Sequence, residues 1–167
     1  NKPYTGFLYV GLMIKENEPY LIEYNIRMGD PECQVIMPRL KTDLIKIINN
    51  ALANKLKKTK ITWKNNNSMT IVLCSKGYPG SYKKNLHIKN INKIKLLNNE
   101  FIYHAGTKFV NRKLLSNGGR VLSITATGKD LSKIRHKIIK IIKKLNWRAG
   151  FYRKDIGWKI IKKNENN

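Results

Sequence analysis

The chain has 167 residues, of which 41% are hydrophobic, so it is long enough and apolar enough to fold around one or two small cores. No apolar run approaches the roughly 20 residues that span a bilayer, and the start lacks the layout of a signal peptide, so we expect a cytoplasmic protein without a membrane partner. Cys33 and Cys74 lack the spacing of a disulfide framework or a zinc site. We expect both to be reduced, Cys33 on a helix and Cys74 in a strand.

The formal net charge is +24, from 34 Lys plus Arg against ten Asp plus Glu. Such a charge is common in proteins that bind nucleic acid, because contacts with phosphates release counterions. The basic residues are scattered, however, without an Arg-rich helix or an aromatic platform, and the abundance of Lys, Asn and Ile matches a genome biased toward A/T-rich codons. A basic nucleic-acid-binding module is therefore only the alternative hypothesis, and we expect no specific nucleic-acid partner.

The first part of the chain is predicted to begin with a β-hairpin, whose strands span residues 5–14 and 19–27 on either side of a polar turn. Two helices follow. The first is predicted over residues 31–39, with Asp30 as its N-cap and a proline at its first position, and the second begins near residue 43.

A polar segment over residues 57–68 is predicted to separate two domains, 1–60 and 61–167. The second domain is predicted to contain several strands and one long amphipathic helix over residues 130–145. The predicted strands span residues 69–75, 101–107 and 121–127. The fold class is therefore α+β: antiparallel strands with helices, followed by a small, mixed, β-rich domain with one long helix.

Glu23, Asn25 and Arg27 occupy every second position of the second predicted strand, so all three side chains should point to one face. A carboxylate and an amide oxygen are hard ligands that suit Mg²⁺, and a guanidinium beside them can hold a phosphoryl or carboxylate oxygen. A half-buried strand with a solvated face is the competing interpretation. Glu23, Asp30 and Glu32 nevertheless lie within ten residues of one another in a chain poor in acids, which favours a cation site.

Several motifs resemble, in the same order along the chain, those of the phosphoribosylamine-glycine ligase family. They span residues 4–14, 22–34, 75–80, 104–108, 117–121 and 151–158. The resemblance implies the last part of an ATP-grasp domain followed by a small C-terminal domain. Enzymes of this family are much longer, so we expect the remaining N-terminal part to lie outside this sequence and the isolated chain to be inactive.

The resemblance also implies the reaction: ATP-dependent ligation of glycine to 5-phosphoribosylamine through a glycyl phosphate, a step of de novo purine biosynthesis. The products are glycinamide ribonucleotide, ADP and phosphate. By this resemblance Glu23 and Asn25 are ligands of Mg²⁺ or Mn²⁺ and, with the metal, help to bind ATP. Gly11 stands where some relatives carry another acid. Met13 is a candidate to pack against adenine, although an ordinary core methionine is an equally good interpretation.

The residues that follow the second predicted strand are candidates for substrate binding. Arg27 is predicted to be catalytic and to bind the transferred phosphoryl group or the glycine carboxylate, with a salt bridge to Asp30 as the alternative. Asp30 is also predicted to be catalytic by orienting substrate, and it is expected to cap the helix as well. Gly29 is a further candidate for substrate binding, because it lies in the flexible turn beside them. Glu32 is predicted to support the residues that contact substrate, or to be a favourable charge at a helix N-terminus, and the two roles are compatible.

In the second domain, Lys108 and Arg120 are predicted to bind substrate, because each follows a glycine-containing turn where backbone can approach a phosphate closely. His104 is a weaker candidate, since a histidine in a strand is more often structural.

Overall fold

The structure is a computed structural model that describes residues 2–165, and for residues 162–165 it describes only the helical backbone. The chain consists of two compact units that divide between Lys64 and Asn65. Both units combine helices with antiparallel strands, which confirms the predicted α+β class. In the described part of the chain, no helix has the length and hydrophobicity needed to cross a membrane.

The first unit begins with a two-stranded antiparallel sheet, β1 (Tyr9–Lys15) and β2 (Glu18–Asn25). Glu16 and Asn17 form the turn between them with φ angles of 53° and 66°, the left-handed conformation that tight two-residue hairpins require. The helices of this unit follow the sheet. They are α1 (Cys33–Ile36), a 3₁₀ turn (Met37–Arg39), α2 (Leu44–Leu52) and a second 3₁₀ turn (Leu56–Lys58).

A β-bulge interrupts the hairpin between Gly11 and Leu12. Gly11 pairs with Glu23 and Leu12 pairs with Leu21, so Ile22 is the additional residue on β2. The apolar residues of both strands stay largely exposed within this unit. A two-stranded hairpin is only marginally stable by itself. Its exposed apolar side chains therefore indicate a surface that packs against another part of a protein.

Three predictions about this unit are wrong. Strand β2 ends at Asn25, so Arg27 lies beyond the strand. Helix α1 begins at Cys33 rather than Pro31, and the Asp30–Pro31 peptide bond is cis. Asp30 does not cap α1: its Oδ1 atom accepts a hydrogen bond from the Gln34 side chain at 3.0 Å, because the turn over residues 30–32 places it outside the first helical turn.

The second unit is built on a four-stranded antiparallel sheet in the order β4–β7–β3–β8. Its strands are β3 (Asn67–Ser75), β4 (Glu100–His104), β7 (Arg120–Gly128) and the short β8 (Gly150–Phe151). A separate hairpin consists of β5 (Thr107–Val110) and β6 (Lys113–Ser116). The other elements are a 3₁₀ turn (Ile91–Lys93), α3 (Leu131–Leu145) and α4 (Trp158–Glu165).

Helix α3 packs its apolar side onto β3 and β7. Its predicted stripe is confirmed, since all five members are buried: Ile134, Ile138, Ile141, Ile142 and Leu145. Strand β7 lies between β3 and β4 and is buried from Val121 to Thr127, whereas alternate residues of β3 are buried. This cluster is the hydrophobic core of the second unit.

The N-terminus of α3 offers a test of the predicted helix signals. Asp130 is extended, and its Oδ1 atom accepts a hydrogen bond from the backbone N–H of Lys133 at 3.0 Å, the geometry of an N-cap. We expect Asp130→Ala to lower the free energy of unfolding of this unit by about 1 kcal/mol, measured by urea denaturation. Asp130→Asn, which retains an acceptor, is the matched control, and an equal loss in both variants would contradict the capping role.

Candidate active site

The two predicted metal ligands share one end of the hairpin. Glu23 pairs with Gly11 and Asn25 pairs with Tyr9, and both lie on the same side of the bulge, so the alternation of the strand places them on one face. A Cβ atom at Gly11 would lie 3.1 Å from Cγ of Glu23. The absence of a side chain at Gly11 therefore leaves room beside the Glu23 carboxylate.

The Arg27 side chain turns back toward this face although it lies outside the strand. Its guanidinium donates one hydrogen bond to Oδ1 of Asn25 at 3.2 Å and another to the backbone oxygen of Met28 at 3.0 Å. An amide oxygen has two lone pairs, so Oδ1 of Asn25 can accept from Arg27 and still contact a cation. The structure therefore brings Asn25 and Arg27 together.

Tyr9 links the strand to the residues after it, a role that was not predicted from the sequence. Its hydroxyl group forms a side-chain hydrogen bond with Glu32, and Glu23 also acts on it electrostatically. The nearby Glu32 charge raises the pKa of Tyr9, with smaller contributions from desolvation, the hydrogen bond and Glu23, because each of them disfavours the charged phenolate. The protonated hydroxyl donates its hydrogen bond to the Glu32 side chain. Tyr9 is paired with Asn25 in the folded hairpin, a proximity that the sequence does not reveal.

Gly29 is buried beneath this arrangement. A Cβ atom there would lie within 3 Å of both a Glu32 carboxylate oxygen and the Tyr9 ring, so a larger residue would have to displace them. Gly29 therefore shapes the site by close approach rather than by flexibility. Asp30 is exposed and accepts a hydrogen bond from Gln34, as described above.

The oxygen ligands of Glu23 and Asn25 suit a hard cation, and they supply only part of its coordination shell. Glu23 and Asn25 offer oxygen ligands, and no group of three or more His, Cys, Asp or Glu residues in the described part of the chain could hold a metal ion. Mg²⁺ commonly binds to one or two protein ligands and completes its shell with waters and nucleotide phosphates. The residues present therefore fit Mg²⁺, or Mn²⁺, bound together with a nucleotide.

Met13 lies on β1 opposite Tyr20, on the other side of the bulge from Glu23. Its side chain is 58% exposed, so the interpretation as an ordinary core methionine does not apply within this unit. Contact with adenine stays a prediction.

In the second unit, Lys108 and Arg120 follow two glycines that touch each other. A Cβ atom at Gly106 would lie 2.7 Å from Cα of Gly118 and 2.5 Å from the backbone oxygen of Arg120, so this approach requires glycine. Lys108 and Arg120 each lie two residues beyond one of these glycines, and both are partly exposed. Beside them, Nδ1 of His104 is hydrogen-bonded to Oγ1 of Thr107 at 3.0 Å.

The two cysteines are free and lie where the sequence predicted, Cys33 at the start of α1 and Cys74 in β3. Burial, with a smaller contribution from Asp30, raises the pKa of Cys33. Burial also raises the pKa of Cys74, while Arg120 opposes the shift. A thiol with a raised pKa is a poor nucleophile at neutral pH, so neither cysteine is a catalytic candidate.

Comparison with known families tests the two hypotheses drawn from the sequence, the ligase-family resemblance and the nucleic-acid-binding module. A family model described as phosphoribosylglycinamide synthetase, C domain, matches residues 68–159, and one described as the ATP-grasp (A) domain of the same synthetase matches residues 1–33. The chain belongs to the phosphoribosylglycinamide synthetase family. The resemblance inferred from the motifs is therefore confirmed. Within this family's domains, all the site candidates from Met13 to Glu32 fall in the ATP-grasp match, and Lys108 and Arg120 fall in the C-domain match.

Individual relatives of the synthetase family agree. A phosphoribosylamine-glycine ligase of Brucella melitensis is 39% identical over 165 residues, which is 99% of this chain and 39% of the relative. A chloroplastic phosphoribosylamine-glycine ligase of Arabidopsis thaliana is 40% identical over 97% of this chain and 31% of its own length. The crystal structure of phosphoribosylamine-glycine ligase from Thermotoga maritima matches with a TM-score of 0.66 and 31% identity, covering 89% of this chain and 36% of that one. The chain thus spans about two-fifths of these bacterial relatives, and it belongs to a larger protein.

Proposed function

We propose that this chain is the C-terminal portion of an ATP-dependent ligase that joins glycine to 5-phosphoribosylamine. The observation that carries the proposal is the ordered match to the ATP-grasp and C domains of one synthetase family, over most of the chain. The arrangement of Glu23, Asn25 and Arg27 at the end of the hairpin supports it, because it combines cation ligands with a phosphate-binding group.

The proposed reaction has two steps. A carboxylate oxygen of glycine attacks the γ-phosphorus of ATP, the bond from that phosphorus to the β–γ bridging oxygen breaks, and ADP leaves. The amine nitrogen of phosphoribosylamine then attacks the carbonyl carbon of glycyl phosphate, the carbon–oxygen bond to phosphate breaks, and the nitrogen loses a proton. Neither step needs a covalent enzyme nucleophile, so catalysis consists of positioning and charge stabilisation.

In this scheme Glu23 and Asn25 hold Mg²⁺ or Mn²⁺, which when bound neutralises part of the charge on the nucleotide phosphates. Arg27 moves from its contact with Asn25 to donate hydrogen bonds to the transferred phosphoryl group or the glycine carboxylate. Met13 supplies an exposed apolar contact for adenine.

The acids after the strand complete the proposal. Asp30 and Glu32 orient the amine-bearing substrate, with Glu32 fixed by Tyr9 and by the close approach of Gly29. Lys108 and Arg120 bind a substrate phosphate beside their glycine turns.

The remaining part of the same enzyme is the proposed partner for the exposed apolar hairpin of the first unit. A relative such as the Brucella protein is 39% covered by this chain, so most of its length lies outside the matched region and is long enough to supply the missing packing. We also propose that the complete enzyme acts in the cytoplasm.

The test uses the complete polypeptide that contains this chain. We expect it to release ADP from ATP only when both glycine and phosphoribosylamine are present, measured with a coupled assay for ADP. The isolated 167-residue chain is the matched control and should release none, because it covers only part of the proposed nucleotide site. The proposal would be overturned if the folded complete protein released ADP at the same rate with and without glycine.

A further inference from the structure

A cavity of about 390 Å³ lies in the second unit, and none of its lining residues belongs to the candidate active site described above. It opens between the C-terminal end of α3 and the edge strand β8. Its apolar surface comes largely from aromatic and aliphatic side chains: Leu73, Ile142, Trp147, Phe151 and Tyr152. The volume falls within the roughly 300–1,000 Å³ of typical small-molecule sites.

The charged side chains that line this cavity are all positive. Lys143, Arg148 and Lys154 line it, and no Asp or Glu is among its described lining residues. All three basic side chains are exposed, so they are free to adjust to a ligand. A concave site with cations and no carboxylate attracts anions and repels cationic ligands.

Trp147 gives an independent indication of a missing acceptor. It is only 8% exposed, and its indole Nε1 atom is buried without a hydrogen-bond partner among the described residues. An indole nitrogen is a donor only, and buried donors are nearly always paired. The ring is held against the Gly150 backbone, where a Cβ atom would lie 2.3 Å from Cε3 of Trp147. Trp147 lines the cavity, so a ligand bound there would lie next to an indole whose donor has no partner among the described residues.

We propose that this cavity binds a small organic anion that carries an aromatic ring, such as an aromatic phosphate or carboxylate. The ring packs on Trp147 and Phe151, and the anionic group lies among Lys143, Arg148 and Lys154. A simple inorganic anion would leave the aromatic surface wet, whereas a neutral aromatic compound would leave the three cations without a counterion. Both parts of the ligand are therefore needed. Because no residue is shared with the proposed active site, this site can be right or wrong independently of the ligase assignment.

The test is a titration of the full 167-residue chain, labelled with ¹⁵N, followed by the indole N–H signals in NMR spectra. The Trp147 signal is identified by its loss in Trp147→Phe, which distinguishes it from Trp63 and Trp158. With phenyl phosphate as the probe, we expect a saturable shift of the Trp147 signal at about 0.15 M salt, where long-range attraction by the +24 charge is screened. Inorganic phosphate and phenol should each bind at least about tenfold more weakly, because each lacks one half of the recognition.

Substitutions decide whether the shift comes from this cavity. Arg148→Gln and Lys154→Gln should each weaken phenyl phosphate binding about tenfold. Lys83→Gln is the matched control, because Lys83 lies in the same unit but lines a different cavity, and it should leave the binding unchanged. Equal weakening by Lys83→Gln, equal affinity for inorganic phosphate, or an unmoved Trp147 signal would each overturn the proposal. Retained dispersion of the amide signals shows that a variant has folded.

Discussion

In the complete enzyme that we propose, Glu23→Gln is expected to lower kcat/KM for ATP by about 10²–10³, an effect of the size seen when one group that stabilises a transition state is removed. Glutamine has nearly the same shape as glutamate but lacks the negative charge that attracts a divalent cation. Glu23 shares its face of β2 with Asn25, and Gly11 leaves space beside it, so the loss of charge is not compensated by a nearby side chain from β1. The activity of the variant should also require more Mg²⁺ to reach its maximum.

Glu18→Gln is the control for this experiment. Glu18 is an exposed acid on the same strand, but it lies at the turn end, opposite Lys15 and across the bulge from Glu23. The same charge is removed from the same strand, so a general effect of charge would appear in both variants. Wild-type kinetics and Mg²⁺ dependence in Glu23→Gln would refute the assignment of Glu23 as a metal ligand.

The sequence predicts the elements that depend on residues close to one another along the chain. Helix α3 is predicted because its apolar residues recur at helical spacing, and the structure shows this stripe buried, with Asp130 as an N-cap that was not predicted. The turn of the first hairpin was found from its polar residues. The division after Lys64 lies inside the polar segment that suggested a boundary, four residues beyond the predicted one.

Features that depend on pairing between residues far apart in the sequence could not be predicted from local patterns. The bulge at Gly11 and Leu12 exists only in the register of two strands, and the short strands β6 and β8 are defined by their partners. At the site, the alternation of Glu23 and Asn25 was readable from the sequence, but the contact between Tyr9 and Glu32 joins residues 23 positions apart. The predicted cap at Asp30 was wrong because the turn over residues 30–32 places Asp30 outside the first turn of α1, where it accepts a hydrogen bond from Gln34.

Truncation of the core should have the largest effect on stability. Ile138 is completely buried on α3, in the cluster that this helix forms against β3 and β7. We expect Ile138→Ala to lower the free energy of unfolding of the second unit by about 2–5 kcal/mol, because the substitution loses buried methyl groups and leaves a cavity that packed neighbours cannot fill. A change of this size is a large part of the stability of a small domain.

Hydrogen exchange of the β7 amide protons is the appropriate measurement, because these residues are buried at the centre of the sheet and report on opening of this unit rather than of the whole chain. Ile160→Ala is the matched control: it makes the same truncation on a helix of the same unit, where the side chain is 58% exposed, and should change the free energy of opening by no more than about 0.5 kcal/mol. The difference between the two variants isolates burial from helix propensity. Equal losses would mean that α3 does not depend on its apolar stripe, and the packing of this helix onto β3 and β7 would then be wrong.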